Sequence, residues 1–266
     1  MKKLSISILT TLIFLGGLLS SSIKANGIIN TNTTEGNHLF TAKFEGNGKF
    51  CTAVAINPTT YLTASHCVDY KSQEGRNIGK LYPALSGIST PLNAVNVSKV
   101  EVYAEANPSG QVSQAKDIAI LKVTEPLPTS LEHYLNGRKP NIQGVNKDRT
   151  ENGQNSLVGK SVYAIGYSSE RGNNYSTKFD GVISNLYIDG ANGNDESSYN
   201  KSGLITTNIY AAGGQSGSGL FLKDEDGNNQ NDELLGILST SNNNNENATF
   251  ALITPKVKEW IEKNSN

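Results

Sequence analysis

Between about Leu39 and Ile253 the apolar segments are short, rich in Val, Ile, Thr and Tyr, and separated by clusters of Gly, Asn, Asp and Ser. This is strand chemistry: β-branched and aromatic side chains pack well on a pleated surface, and the intervening residues supply turns. The pattern predicts strands at Leu39–Glu45, Cys51–Asn57, Tyr61–Ala64, Lys99–Tyr103, Ile118–Val123 and Ser161–Gly166, then at Val182–Leu186, Leu204–Thr207, Leu220–Leu222, Leu234–Ser239 and Phe250–Ile253. No helical period separates them, so βαβ units are excluded and an all-β sandwich or pair of barrels is expected. The end of the chain departs from this pattern. Thr254-Pro255 has the chemistry of an N-cap and a first helical residue, and Val257, Trp260 and Ile261 share one helical face, which predicts a short C-terminal helix. The stretch from Pro126 to Val158 is polar and turn-rich, as a connector between two β units would be. Residues 26–130 are therefore expected to form the first unit, and residues 131–266 the connector, the second unit and the terminal helix. Asn242–Asn247 reads as a surface loop by composition.

The beginning of the chain has a separate role. Met1-Lys2-Lys3, the apolar run Leu4–Leu19 and the small residue Ala25 have the layout of a secretion signal, shorter than the ~20 residues of a membrane span. Cleavage near Ala25 is expected, delivering the chain outside the cell or into a periplasm. In that oxidising compartment Cys51 and Cys67 can pair. Two cysteines and the histidines His38, His66 and His133 show no ligand spacing, so neither a metal nor another cofactor is expected. Asp224-Glu225-Asp226-Gly227-Asn228 has some of the acidic alternation of a calcium loop, but its glycine comes too early and no helices flank it; a hairpin turn is expected. With 266 residues, 36% hydrophobic and 18% charged, and a net charge of −1, the chain fits a soluble globular protein. Multi-span membrane proteins are excluded, and neither nucleic-acid binding nor stable membrane association is indicated.

Three segments carry candidate chemistry. Thr63-Ala64-Ser65-His66-Cys67 ends an apolar strand on a histidine, Lys116-Asp117-Ile118-Ala119-Ile120-Leu121 opens a strand with a carboxylate, and Gly213-Gly214-Gln215-Ser216-Gly217-Ser218-Gly219 is a glycine-rich loop before another strand. Taken singly, these are a packed histidine, a turn carboxylate and a tight turn. Together they have one use. A serine hydroxyl is a poor nucleophile until an imidazole takes its proton, and the imidazole needs a carboxylate to hold its tautomer. His66, Asp117 and Ser216 can fill those roles, with the backbone N–H groups of Gly214 and Ser216 as donors to an oxyanion.

These motifs resemble those of the trypsin-like serine endopeptidases: Thr63–Cys67 is similar to the family's T-A-A-H-C, Asp117–Ile120 to its D-I-A-L, and Gly214–Ser218 to its G-D-S-G-G, in the same chain order. Ile28-Ile29-Asn30 resembles its mature start, Leu235–Ser239 the strand after the nucleophile, and Val257–Ile261 its terminal helix. The resemblance implies two packed antiparallel six-stranded β-barrels with the site between them, a Cys51–Cys67 disulfide beside His66, and a polypeptide substrate cleaved by a monomer. The Gly213–Ser218 loop is most similar to secreted glutamyl endopeptidases and exfoliative-toxin relatives, whereas the cysteine pair is closer to the trypsin branch.

By the same resemblance the primary pocket has its floor at Tyr210, a wall at Ala211, and its other side at Leu238, Ser239, Thr240 and Ser241. Tyr210 offers no carboxylate for Arg or Lys. Leu238 and Ala211 stand where glutamyl endopeptidases carry histidine and threonine. An uncharged residue before the scissile bond is expected. The neutral Gln215 replaces the Asp that pairs with a newly cut N-terminal amine in trypsins, so an ion-pair activation switch is not expected. A G-x-S-x-G esterase is the enzymatic rival, but Ser218 replaces its last glycine and its order puts Asp and His after Ser. A catalytically impaired secreted binding protein of the same fold is the non-enzymatic rival.

Overall fold

The computed structural model describes residues 27–107, 110, 112–124, 126–149, 156–188, 203–224 and 232–265. The proposed signal segment and the Glu225–Asn228 part of the acidic run lie outside them. Among the described residues no helix is long and apolar enough to cross a membrane.

Two antiparallel barrels make up the molecule. The first contains β2 (Thr41–Gly46), β3 (Lys49–Asn57), β4 (Thr60–Thr63), β5 (Gln73–Pro83), β6 (Val95–Val102) and β7 (Ala119–Val123), closed in the order β2-β3-β4-β7-β6-β5. The second contains β8 (Ser161–Tyr167), β9 (Ser176–Tyr187), β10 (Leu204–Thr207), β11 (Gly219–Leu222), β12 (Glu233–Ser241) and β13 (Ala248–Leu252). These run β9-β10-β13-β12-β11-β8, and the β8–β9 pairing closes the circle. Closure leaves no free sheet edge within either barrel. A two-residue strand, β1 (Ile28–Ile29), adds to β9 opposite Lys178 and Thr177.

Strands at the barrel junction are buried on both faces, as in β3 and β12. Their apolar runs are accordingly near-continuous. Tyr163, Ile165, Phe221, Leu234 and Ile237 of the second barrel join the core cluster of the first. The terminal helix forms as expected: α2 (Pro255–Asn264) starts on Thr254, whose hydroxyl accepts from Val257 N at 3.3 Å. Its buried Val257 and Ile261 belong to the first-barrel cluster, so the chain's end straps the second barrel back onto the first.

Besides β1, three elements were not predicted. Strand β5 begins Gln73-Glu74-Gly75-Arg76, largely exposed residues with no apolar alternation to reveal a sheet. The first half of β9 buries Ser176 and Thr177 with only Phe179 as an apolar marker. The connector contains a helix, α1 (Thr129–Leu135), anchored by buried Leu131 and Leu135, too short an apolar record for a helical period.

Candidate active site

His66 sits just beyond β4 on a single 3₁₀ turn, Ser65–Val68, which Asp69 closes in the left-handed region at φ 55°. The Cys51–Cys67 disulfide bonds this turn to β3, across 16 residues of sequence. Lys49 Nζ donates to the His66 carbonyl at 3.1 Å and pairs with Asp69 at 2.5 Å, fixing the turn from outside.

Asp117 follows another 3₁₀ turn, Gln114–Lys116, and is 3% exposed at the head of β7. Four donors converge on it. Oδ1 accepts from Ser65 Oγ at 2.7 Å and His66 N at 2.9 Å; Oδ2 accepts from His66 Nδ1 at 2.7 Å and Ser239 Oγ at 2.6 Å. Burial opposes the charge, yet the donors from His66, Ser239 and Ser65 outweigh it and hold the carboxyl below its ordinary value. An ionised carboxylate only accepts, so Nδ1 carries the ring proton and neutral His66 presents a lone pair at Nε2.

The Gly213–Gly217 loop is held from several sides. Gly214 and Gly217 have φ of 88° and 87°, and a Cβ would lie 2.4 Å from Tyr167 O at the first and 2.0 Å from Thr52 O at the second. Only glycine meets both demands. Gly213 O accepts from Ser169 N at 2.8 Å, and Gln215 O from Ser218 N at 2.9 Å. Because a trans peptide points its N–H opposite its carbonyl, the N–H groups of Gly214 and Ser216 face away from those anchors. Gln215 is fully buried; its Oε1 accepts from Ala212 N at 2.8 Å and its Nε2 donates to Tyr210 O at 3.4 Å. Its amide is thus spent within the loop, while Ile28 lies on β9. Ser216 is partly exposed, its carbonyl accepting from Thr52 N at 2.7 Å. Among the described residues its hydroxyl makes no hydrogen bond to His66, a contact that in unliganded enzymes is often loose and tightens on substrate.

The pocket residues take mixed positions. Tyr210 packs against Phe179 with ring centroids 6.0 Å apart, and burial, then Glu170, raise the pKa of its hydroxyl. Asn245, which sequence reasoning placed only in a surface loop, accepts at its carbonyl from Ala211 N at 2.9 Å and at Oδ1 from Ser241 Oγ at 3.2 Å. It therefore ties the two walls together. Leu238 is directed into the second-barrel core, and the Ser239 hydroxyl is committed to Asp117. Thr240 and Ser241 remain partly exposed. Of the unforeseen residues, Ser65 alone had a sequence signal, since the resembling family motif has alanine there.

A His66 ring nitrogen and the sulfurs of Cys51 and Cys67 lie within 4.8 Å of one another, a grouping that suits a metal by residue type. The sulfurs are bonded to each other, so they cannot serve as thiolate ligands.

A second histidine–serine pair has different physics. His38 Nδ1 lies 2.7 Å from Ser176 Oγ, buried at the barrel junction. Burial, and then the charge of Lys178, lower its pKa from 6.5 to about 4. The folded state thus resists a proton that the unfolded chain accepts. Stability is unaffected above pH 6.5, falls as pH drops toward 4, and is reduced by about 3 kcal/mol below that. His38→Gln, which cannot titrate, should lose correspondingly less stability between pH 7 and pH 4 in urea unfolding; an equal loss in both proteins would refute this.

The family model described as Trypsin matches residues 28–261. The chain belongs to the trypsin family. It is a serine endopeptidase by that membership, and its fold recurs in solved structures. A Glu endopeptidase in complex with MPD aligns at TM-score 0.62 and 19% identity, covering 89% of this chain and 95% of that one. The protease Anisep from Arthrobacter nicotinovorans aligns at 0.62 and 14%, covering 90% and 98%. The thermostable serine protease AL20 from an extremophilic microorganism aligns at 0.60 and 16%, covering 85% and 95%. At these identities the likeness concerns the fold alone. No curated protein sequence matches the chain.

Proposed function

We propose that this trypsin-family chain is an exported endopeptidase that cleaves polypeptides through an acyl-enzyme, with Ser216 as nucleophile, His66 as general base and Asp117 as its orienting carboxylate. The observation that carries the reading is the Asp117 Oδ2–His66 Nδ1 bond of 2.7 Å, which leaves Nε2 as the proton acceptor. Ser216 Oγ attacks the scissile carbonyl as its proton passes to Nε2. The resulting oxyanion is received by the N–H groups of Gly214 and Ser216. Imidazolium then protonates the leaving amine, the C–N bond breaks, and water repeats the sequence on the ester to release the acid and restore Ser216. The export reading rests on the layout of residues 1–25 and agrees with the disulfide. A phosphonylating active-site probe tests the assignment: an adduct mapped to Ser216 by mass supports it. A folded protein with an intact disulfide and no adduct would indicate the non-catalytic binding homologue.

The residue before the scissile bond is proposed to be uncharged, small or medium in size. Tyr210 and Ala211 provide no buried counter-charge, and burying an unpaired ion costs several kcal/mol. Glu170, the carboxylate that acts on Tyr210, is itself exposed to solvent. A peptide-library profile should favour uncharged residues there by at least about tenfold. Dominance of Arg or Lys would instead assign Glu170 to the pocket, and dominance of Glu would refute the reading outright.

A further inference from the structure

The candidate base and nucleophile belong to different barrels, so their separation depends on how the barrels are registered. Both are tied to two adjacent residues. Cys51 holds the His66 turn through its disulfide with Cys67. Thr52, fully buried, holds the Ser216 loop three ways: its N donates to Ser216 O at 2.7 Å, its Oγ1 donates to Gly214 O at 2.9 Å, and its carbonyl is the surface against which Gly217 closes. The same Oγ1 accepts from Tyr167 N at 3.0 Å, and Thr63 Oγ1 donates to Thr52 O at 2.8 Å. One hydroxyl therefore bridges β3, the end of β8 and the peptide that follows Gly214.

We propose that the Thr52 hydroxyl is a positioning residue: with Cys51 it forms a common anchor that sets the nucleophile loop of the second barrel against the histidine turn of the first. The proposal rests on Ser216 and His66 as nucleophile and base. A hydroxyl that both donates and accepts fixes a direction as well as a distance, and displacements near 1 Å at a reacting centre can cost about 10²-fold in rate. Removing it leaves the Gly214 carbonyl and Tyr167 N–H without their partner inside the junction.

The test compares wild type with Thr52→Val, of matching shape without the hydroxyl, and Thr52→Ser, which restores it. The expected result for Thr52→Val is a kcat lowered by about 10- to 100-fold with KM within about twofold, and amides of residues 213–218 exchanging with deuterium at least about tenfold faster. Thr52→Ser should return both readouts to near wild type. If Thr52→Val does not fold, Thr52→Ala is measured for the same quantities. Unchanged kcat and exchange in the hydroxyl-free variant, or an equal loss in Thr52→Ser, would overturn the proposal. Should wild type itself show neither turnover nor Ser216 labelling, the catalytic reading fails on its own, and the exchange comparison alone decides whether Thr52 positions the loop.

Discussion

Ser216→Ala is expected to lower peptide hydrolysis by roughly 10⁴- to 10⁶-fold while the fold, measured by circular dichroism and urea unfolding, is retained. Losing the proposed nucleophile would remove the acyl-enzyme route, and the remaining acceleration over water would come from binding and the proposed oxyanion donors. His66→Ala should fall into the same range, because it removes the proposed proton acceptor. Asp117→Asn should cost about 10⁴-fold by a different route. The amide can present an N–H where Oδ2 now accepts from His66 Nδ1, favouring the wrong imidazole tautomer. Ser65 Oγ and Ser239 Oγ would lose a charged acceptor as well. The combined Ser216→Ala/His66→Ala variant should be little worse than either alone, as the proposal has the two groups acting as one unit. Wild-type-like turnover in any single variant, measured by progress curves on a peptide substrate, would refute its assigned role.

Removing the disulfide is expected to have the largest effect on stability. In the chain-entropy account, a closed loop of about fifteen residues constrains the unfolded chain by roughly 3 kcal/mol. Cys51 and Cys67 are separated by 16 residues. Both are buried, at 4% and 0% exposure, so replacement by alanine also opens space in the first-barrel core. Cys51→Ala/Cys67→Ala should therefore unfold at markedly lower urea concentration. Turnover should fall further than stability alone explains, because the turn carrying His66 loses its covalent tie to β3. Equal unfolding midpoints for the two proteins under oxidising conditions would refute the energetic argument.

The strands that line the barrel junction were legible because burial on both faces demands uninterrupted β-branched and apolar residues, as in Cys51–Asn57 and Leu234–Ser239. The terminal helix was legible because its start is local chemistry: a threonine cap, a proline and one apolar face. The candidate triad was legible for a related reason. Proton transfer and oxyanion binding require particular residue types in particular local frames, and His66, Asp117 and Ser216 each lie in such a frame.

What the tertiary structure alone decided was partnership. Ser239 reads as a pocket residue in its own strand, yet its hydroxyl serves Asp117, 122 residues away. Thr52 reads as one polar residue in a buried strand, yet it joins Tyr167 and Gly214 across the barrel junction. Asn245 lies in an asparagine run that says only loop, yet it links the two walls of the pocket. Strand β5 and the first half of β9 were hidden because barrel closure, and not a hydrophobic pattern of their own, places them in the sheet. Sequence periodicity records which side of a segment avoids water, since that is a property of the segment. Which distant group satisfies a buried hydroxyl depends on the packing of two barrels and leaves no periodic trace.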